Sequence, residues 1–458
     1  MDAAALGDLR ALVRGGLITP EDSDYDTHRR VYNAMIDKRP AVIVRCSDVA
    51  DVIAAIDFAQ AQSLEVAVRG GAHNGGGLGV VEAGLVIDLA PMRGVRVDPD
   101  ARTAVVGAGA HLGDIDHAGH VFGLGLPSGI VSSTGVGGLT LGGGHGYLTR
   151  KYGLTIDSLL EVDVVLANGT FLRASASEND DLFWAMRGGG GNYGVVTSFT
   201  FELHPVRTVT VGIVLWPVEQ ASDVLRWYRE FMPQAPEDLG GFFAFLIVPP
   251  GPPFPDSIHM KNMCGLVTCY AGDPAGHEEV FTPIRQVGKP AFELVAPMPY
   301  PGLQSMFDPL FPSGLQWYWR GDFFNSIPDD AIDVHLRFGT QLPSMLSTIH
   351  LHAIDGAASR VGPDDTAWSY RDAVWSAVIA GIDPDPANAT AIKEWAIEYW
   401  QALHPYSMGG VYVNYMMEEG EERVRASYRD HYDRLVGVKQ KYDPGNFFHI
   451  NQNIRPMT

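Results

Sequence analysis

Three glycine-rich segments constrain this chain more than any other feature of its sequence. They read VRGGAHNGGG at 68–77, GVGGLTLGGGHG at 135–146 and RGGGGNYG at 187–194. The glycines lack the every-third-residue period of collagen, so we assign them to loops of a folded domain. Glycine lets a backbone approach a ligand closely, and such loops offer N–H donors to phosphates without basic side chains. Each segment alone is compatible with a tight turn, but the three together predict a long anionic ligand held by backbone.

The composition indicates a globular protein that binds neither nucleic acid nor an anionic membrane. The chain has 458 residues, enough for two or three domains, and 46% of them are apolar. Asp plus Glu number 54 against 33 Lys plus Arg, and the net charge of −21 repels polyanions. Three cysteines and the absence of an apolar run of about 18 residues favour neither a disulfide framework nor a membrane span. No signal-peptide pattern opens the chain, so we expect a cytoplasmic protein.

The order of predicted elements favours an α+β fold. Strand and helix signals alternate through residues 1–206, with two hairpins in VRVDPDARTAVVGAG and VDVVLANGTFLRA, but long βαβ units do not recur. From residue 207 the glycine runs stop, and QWYWRGDFF and STIHLHAI read as strands of a second domain. ERVRASYRDHYDRLVGVKQKY is predicted to be one amphipathic helix. We therefore expect domains at 1–206 and 207–414, with 415–458 as a closing segment.

Two further patterns imitate known sites. TAVVGAGAHLG follows a strand, but its glycines are spaced one residue too widely for a dinucleotide fingerprint, and its strand reads as half of a hairpin. We therefore reject a Rossmann NAD site. HLGDIDHAGH brings together Asp114, Asp116, His117 and His120, but on a helix Asp116 points away from the two histidines. We interpret this segment as a solvated helix face with no metal, and keep a metal-dependent hydrolase as an alternative.

The ordered motifs resemble one known family. RGGAHNGGGLG, GVGGLTLGGGHGYLTRKYGLTID, RGGGGNYGVVTSFTFEL, YVNY and NFFHINQNI follow one another along nearly the whole chain. This series resembles the FAD-linked oxidases of the vanillyl-alcohol oxidase type, in the berberine bridge enzyme-like branch. The resemblance implies a two-part PCMH-type FAD-binding domain with its core at about 36–206. It also implies a substrate domain with a large antiparallel sheet backed by helices, and a C-terminal segment that returns to the FAD domain.

The resemblance gives the histidine of the first glycine segment a chemical role. In the family, the residue matching His73 is bonded covalently to the 8α-methyl carbon of the flavin, which fits a neutral imidazole as nucleophile. Many members add a second link from a cysteine, but Val131 occupies the matching position here. We therefore expect FAD bound covalently through His73 alone. The other residues that the resemblance implies for FAD binding are Arg69, Gly70, Gly71, Ala72, Asn74, Gly77, Ser133, Thr134, Gly135, Gly137, Gly138, Gly142, Gly146, Val196, Asn451 and Asn453.

The resemblance also locates candidate catalytic residues. Alternation along a VYVNY strand predicts Tyr412 and Asn414 on one face and Tyr415 on the other. We expect Tyr412 to be the general base or the substrate anchor, with Asn414 orienting it. Since a free tyrosine has a pKa near 10, a base role requires a neighbouring cation, for which Arg320 is the candidate. His145 replaces an aromatic residue common in the family and is a second candidate for proton exchange.

The strand QWYWRGDFF is the candidate pocket wall. Gln316, Tyr318 and Arg320 share one of its faces and are expected to line the substrate pocket. His350 and His352 also share a face, which we interpret as one side of the sheet rather than part of the site.

These features predict an FAD-dependent oxidoreductase that moves a hydride from a CH–OH or CH–NH carbon of a small molecule to flavin N5. Thr134 matches a position that contacts dioxygen in the family, and its valine-like shape favours an oxidase with O2 as reoxidant. The alternatives are a dehydrogenase with another acceptor and a flavin-holding binding protein without turnover. The motifs leave the substrate class open, because sugars, alcohols and cyclic amines all fit them.

Overall fold

The computed structural model describes residues 3–457. Its strands are β1 (Gly16–Ile18), β2 (Val42–Arg45), β3 (Val66–Arg69), β4 (Leu85–Asp88), β5 (Val95–Asp98), β6 (Thr103–Gly107), β7 (Leu124–Gly125), β8 (Leu159–Val165), β9 (Phe171–Ser175), β10 (Val195–Glu202), β11 (His204–Pro205), β12 (Thr208–Pro217), β13 (Leu239–Ile247), β14 (Asn262–Tyr270), β15 (Phe292–Pro299), β16 (Gln316–Phe324), β17 (Thr348–Ala353) and β18 (Trp375–Asp383). Its helices are α1 (Ala3–Leu12), α2 (Tyr25–Arg29), α3 (Val49–Ala61), α4 (Leu112–His120), α5 (Val136–Leu141), α6 (Thr149–Tyr152), α7 (Asp180–Met186), α8 (Ala221–Phe231), α9 (His277–Arg285), α10 (Tyr300–Gln304), α11 (Asp329–Gly339), α12 (Ala357–Arg360), α13 (Ala389–Leu403), α14 (Glu421–Tyr428) and α15 (His431–Tyr442).

Among the described residues, the N-terminal half contains a four-stranded sheet, a five-stranded sheet and the two-stranded pair β7–β11. Strands β2, β4 and β3 pair in parallel, with β1 antiparallel at the edge. Strands β5, β6, β10, β8 and β9 form an antiparallel sheet in that order. Both predicted hairpins are confirmed, as β5–β6 and as β8–β9 with Gly169 at a φ of 76°. Because β6 is half of a hairpin and pairs antiparallel with β10, TAVVGAGAHLG does not open the βαβ unit that a Rossmann site requires.

A seven-stranded antiparallel sheet dominates the second half. Its strand order is β15-β12-β14-β13-β17-β18-β16, and every neighbouring pair is antiparallel. Helices α8, α9, α11 and α13 contribute to one apolar core against this sheet. The predicted α+β fold, with a large antiparallel sheet backed by helices, is confirmed.

Strand alternation divides the residues of this sheet between two cores. Phe243 and Leu351 pack with the helices, in the cluster that contains Tyr228 and Tyr399. Phe242, the neighbour of Phe243, belongs to a different cluster on the opposite face. Successive strand residues point to opposite faces of the sheet. The helix layer therefore covers the side chains on one face, and those on the other face remain available to the site.

The C-terminal segment folds differently from its predicted single helix. Helices α14 and α15 are separated at Arg429, whose φ of 45° and ψ of −132° are not helical. Arg429 lies over the Tyr370 ring at 3.6 Å and donates to Asp372, and these tertiary contacts accompany the break. Val424 and Leu435 lie in the apolar core of the N-terminal half. None of the helices within residues 3–457 combines the length and apolar character that a membrane crossing requires.

Candidate active site

A cavity of about 370 Å³ lies between the glycine-rich loops, the large sheet and the C-terminal segment. It gathers residues that are far apart in sequence, as a site at a domain junction does. The lining includes these predicted site residues: Arg69, Gly70, Gly71, Ala72, His73, Asn74, Thr134, Gly135, Gly137, Gly138, His145, Val196, Tyr412, Asn414 and Asn451.

The first two glycine segments touch each other through their backbones. A Cβ placed on Gly71 would lie 2.4 Å from the Gly135 nitrogen, and one placed on Gly135 would lie 2.3 Å from the Gly71 nitrogen. Real Cβ atoms do not approach backbone so closely, so both positions require glycine. Gly190, Gly191 and Gly194 of the third segment also line the cavity. The three segments therefore form one wall made mainly of backbone.

His73 is held rigidly in this wall. Its ring stacks on Tyr32 with centroids 3.9 Å apart, and its Nε2 lies 3.1 Å from Ser133 Oγ. Burial lowers the pKa of His73 from 6.5 to about 3, so the imidazole is neutral. In the tautomer that donates from Nε2 to Ser133 Oγ, the lone pair of a neutral, nucleophilic imidazole is available at Nδ1.

Five predicted residues lie next to the cavity lining rather than in it: Ser133, Gly77, Gly142, Gly146 and Asn453. Ser133 orients His73. Gly77 has a φ of +70° and packs on Ile36, while a Cβ on Gly142 would lie 2.4 Å from Asn414 Oδ1. These glycines are explained by turn geometry and close packing between segments.

The side chains of Tyr412 and Asn414 lie together in the cavity, but strand alternation is not what brings them together. Residues Val413–Tyr415 form a 3₁₀ turn, so the predicted VYVNY strand is wrong. Asn414 Nδ2 donates to the Tyr412 hydroxyl at 2.7 Å, and the Gly144 N–H donates to it at 3.0 Å. The turn also brings Tyr415 into the cavity lining, with its ring 4.9 Å from that of Tyr412, instead of on an opposite face.

No cation among residues 3–457 lowers the pKa of Tyr412. Arg320 pairs instead with Glu419 at 2.6 Å and lies over the Trp400 ring of α13. Burial raises the pKa of Tyr412 above its usual value, and the hydrogen bonds from Asn414 and Gly144 offset this in part. The expectation that Arg320 activates Tyr412 is therefore wrong, and Tyr412 is a protonated phenol at neutral pH.

The predicted pocket face of β16 is also wrong. Gln316, Tyr318 and Arg320 do not line the cavity, whereas Trp317 and Trp319 do. Tyr318 packs in the helix-side core, since α13 covers that face of β16. The alternation of side chains along β16 was predicted correctly. The prediction was wrong about which of the two faces the helices cover.

Three histidines form a cluster at the sheet end of the cavity: His145, His352 and His350. The His145 and His352 ring centroids are 5.1 Å apart, and those of His352 and His350 are 5.7 Å apart. His145 also lies 4.7 Å from the Tyr412 ring, and its Nε2 is 3.1 Å from Ser376 Oγ. His350 lines the cavity, which corrects its assignment to a side of the sheet outside the site.

The cluster carries nitrogens that lack partners. His145 Nδ1 and both nitrogens of His352 are buried without a hydrogen bond to any of the described residues. Burial lowers the pKa of His145 and of His350 from 6.5 to about 3, and the pKa of His352 is also lowered. The three imidazoles are therefore neutral, and unpartnered buried nitrogens of this kind indicate room for a polar ligand or water.

The cavity fits a long anionic cofactor held without charge pairing. Arg69 lines the glycine wall, but it is paired with Asp88 at 2.9 Å and donates to the His28 carbonyl. Asn451 and Tyr428 also line the cavity, and Asn451 Oδ1 and the Tyr428 hydroxyl have no partner in the described part of the chain. Val131 lines the cavity, whereas Cys46, Cys264 and Cys269 are buried away from it. An FAD molecule would thus meet backbone donors and uncharged side chains, with Arg69 as a charged group that is already paired with Asp88.

The helix that carries the metal-like pattern is α4. Asp114 pairs with Arg93 at 2.5 Å, while His117 is exposed. Asp116 does not fit the predicted solvated helix face, since it is 2% exposed and burial raises its pKa to about 8. Across residues 3–457, no group of three or more His, Cys, Asp or Glu side chains is arranged to hold a metal.

Comparison with known families and proteins gives consistent matches. A family described as FAD binding domain matches residues 40–175, and one described as berberine and berberine like matches residues 411–455. The chain is 33% identical to an FAD-linked oxidoreductase of Dictyostelium discoideum, over 93% of this chain and 91% of that protein.

Two further relatives and one solved structure have named activities. The (R)-6-hydroxynicotine oxidase of Paenarthrobacter nicotinovorans is 26% identical over 97% of each chain. A crystal structure of 6-hydroxy-D-nicotine oxidase from Arthrobacter nicotinovorans superimposes with a TM-score of 0.86, covering 97% of this chain and 98% of that one. The xylooligosaccharide oxidase of Thermothelomyces thermophilus is 25% identical over 95% of this chain and 91% of that protein.

Proposed function

The chain belongs to the FAD-linked oxidoreductases with a berberine-like C-terminal segment, and on that premise we propose that it oxidises a CH–OH or CH–NH carbon of a small molecule, with O2 as the final electron acceptor. The observation that carries this proposal is the single cavity joining His73 and the glycine wall to Tyr412, Asn414 and His145. A cofactor attachment point and a set of proton-handling groups thus face the same space. The named oxidase relatives support an oxidase activity.

FAD would be held by the glycine wall and by a covalent bond to His73. The free nitrogen of His73 is Nδ1, since Ser133 engages Nε2, so we assign the bond to Nδ1. Val131 has no thiol, which supports a single covalent link. Residues 1–206 with 415–458 would hold the cofactor and 207–414 would present the substrate, as the packing of α14 and α15 in the N-terminal core supports.

Bound FAD supplies a two-electron acceptor for the hydride of the substrate C–H bond. Tyr412 anchors the substrate oxygen or nitrogen, because its oxygen already accepts two N–H bonds and its own proton is free to be donated. His145 takes the O–H or N–H proton. In the tautomer that donates from Nε2 to Ser376, its unpartnered Nδ1 presents a lone pair. Loss of hydride and proton leaves a carbonyl or an imine.

Thr134 supports oxygen as the reoxidant. It lines the cavity beside Gly135, so the position that the resemblance assigns to contact with dioxygen faces the same space as His73 and Tyr412. A dehydrogenase that uses another acceptor, or a flavin-holding protein without turnover, are the competing functions.

An anaerobic titration tests the proposal. The purified yellow protein is mixed with alcohols, sugars and cyclic amines while the flavin absorbance is followed. Bleaching by one class establishes oxidation, and rapid recovery of colour in air identifies an oxidase. Slow recovery identifies a dehydrogenase, a yellow protein that no compound bleaches favours the binding function, and failure to take up FAD contradicts the proposal.

A further inference from the structure

No charged side chain lies among the described residues on the sheet side of the cavity. Its lining consists of Phe311, Trp317, Trp319, Thr348, His350, Val378, Ala380 and Ile382. Arg69, the charged residue among the described lining, lies on the glycine side and is paired with Asp88. Arg320 and Glu419 pair with each other outside the lining. A substrate against this wall therefore meets no counter-ion.

The polar groups of the wall are few and neutral. Thr348 Oγ1 already donates to the Phe245 carbonyl at 2.8 Å. The Trp317 indole N–H is buried without a partner among the described residues. His350 lines the cavity with the neutral His352 and His145 beyond it. One end of the wall can thus accept or donate a few hydrogen bonds, and the rest is aromatic or aliphatic.

This wall discriminates between substrate classes by desolvation. A carboxylate or phosphate would lose its hydration without gaining a cation, and an alkylammonium would lose it without gaining a carboxylate. An oligosaccharide would bury many hydroxyls where there are partners for a few. A ring bearing one hydroxyl buries apolar surface and satisfies its single polar group at the histidine end.

We propose that the substrate is an uncharged alcohol on an aromatic or alicyclic skeleton, bound with its ring against Trp317 and Trp319 and its hydroxyl at the histidine end. This assignment rests on the proposed function for the chemistry, but its evidence is the charge-free wall. It separates this chain from its relatives named for an amine and for an oligosaccharide. The product is the corresponding aldehyde or ketone, with the hydride going to FAD and the proton to His145.

Binding of matched compounds to the FAD-loaded protein tests the class directly. The probes are 4-methoxybenzyl alcohol, 4-methoxybenzylamine, 4-methoxybenzoate and xylobiose, measured anaerobically at pH 7.5 by titration calorimetry. The expected result is binding of the alcohol, with the amine, the carboxylate and xylobiose each weaker by about a hundredfold or more. Equal or tighter binding of any of these three, or no binding of the alcohol, overturns the proposal.

A charge introduced into the wall sharpens the test. Ala380 lines the cavity, and its cross-strand neighbours Trp319 and Thr348 carry no charge. Ala380→Asp should strengthen binding of 4-methoxybenzylamine about tenfold or more, whereas Ala380→Asn, equal in size, should not. Thr348→Asp with Thr348→Asn repeats the comparison if the first pair fails to fold. An unchanged amine affinity in a folded Asp variant contradicts the proposal.

Flavin reduction in the same samples separates this inference from the proposed function. If the alcohol binds selectively but does not bleach the flavin, the substrate-class selectivity stands and the proposed oxidation fails. If an amine or a sugar binds and bleaches the flavin, oxidation stands and the assignment to neutral alcohols fails.

Discussion

The two walls of the cavity are built on different principles. The glycine wall presents backbone, and Gly71 and Gly135 approach so closely that neither has room for a Cβ. The sheet wall presents side chains, and strand alternation with the covering helices decides which ones. A close approach between two backbones can be recognised in the sequence, because glycine alone permits it. The sequence does not show which face of a strand lines the cavity, because that depends on which face the helices cover.

Adding a methyl group to the glycine wall should have the largest effect. Gly135→Ala forces a Cβ against the Gly71 backbone and should lower the free energy of unfolding by about 3 kcal/mol or more and prevent FAD uptake. Chemical denaturation and flavin absorbance measure both. Gly437→Ala is the control: its Cβ meets no atom within 4 Å, it lies in α15, where alanine is preferred over glycine, and it is outside the cavity lining. Equal loss in both variants would contradict the close-contact explanation.

Replacing His145, the proposed proton acceptor, should have the next largest effect, on the rate of flavin reduction rather than on stability. His145→Asn removes the imidazole that faces Tyr412, and should slow substrate-dependent flavin reduction about a hundredfold or more. Ser376→Ala removes only the hydrogen bond that orients His145, and should slow it less than about tenfold. Stopped-flow absorbance under anaerobic conditions gives both rates. A His145→Asn rate close to that of the unchanged protein would exclude this histidine as acceptor.

The buried imidazole of the sheet wall should make the protein sensitive to acid. His350 has a pKa lowered from 6.5 to about 3, so between these values the unfolded chain binds a proton that the folded protein does not. The free energy of unfolding therefore falls as pH falls through this window. His350→Phe should reduce that slope by up to about 1 kcal/mol per pH unit.

Urea denaturation at several pH values between 4 and 7 measures this slope. Phe242, which stacks on His350 with centroids 4.2 Å apart, provides the control. Phe242→Leu should lower stability by a similar amount at every pH, because it changes packing but removes no titrating group. A slope unchanged by His350→Phe would show that His350 does not contribute to the acid sensitivity.

The smallest effect should come from comparing the two faces of β16. Trp319→Leu removes an aromatic ring from the cavity and should raise the KM of a bound alcohol several-fold, equivalent to about 1 kcal/mol. Tyr318→Phe lies on the helix side and should leave KM within about twofold. Steady-state kinetics with one alcohol measures both. A larger change in KM for Tyr318→Phe than for Trp319→Leu would support the pocket face that was predicted from the sequence.

Local patterns predicted much of the fold correctly. The β5–β6 and β8–β9 hairpins, the strands around Trp317 and His350 and the α+β class all follow from turn residues and alternation. The single C-terminal helix was wrong because Arg429 adopts a non-helical conformation with tertiary contacts to Tyr370 and Asp372. The VYVNY strand was wrong because the segment makes hydrogen bonds to the Leu139 carbonyl of α5 and to the Gly144 N–H of the following loop rather than to a strand.

The sequence by itself determined the glycine wall and the place of His73 within it. These features depend on particular residue types at fixed positions along the chain, because a close approach between backbones or a chemical role requires those residue types. Only the tertiary structure decided that Trp317 and Trp319 replace Tyr318 and Arg320 at the cavity, and that His350 and His352 join His145. Two faces of a strand can carry equally plausible side chains, and the helix layer that buries one of them is set by packing between distant segments.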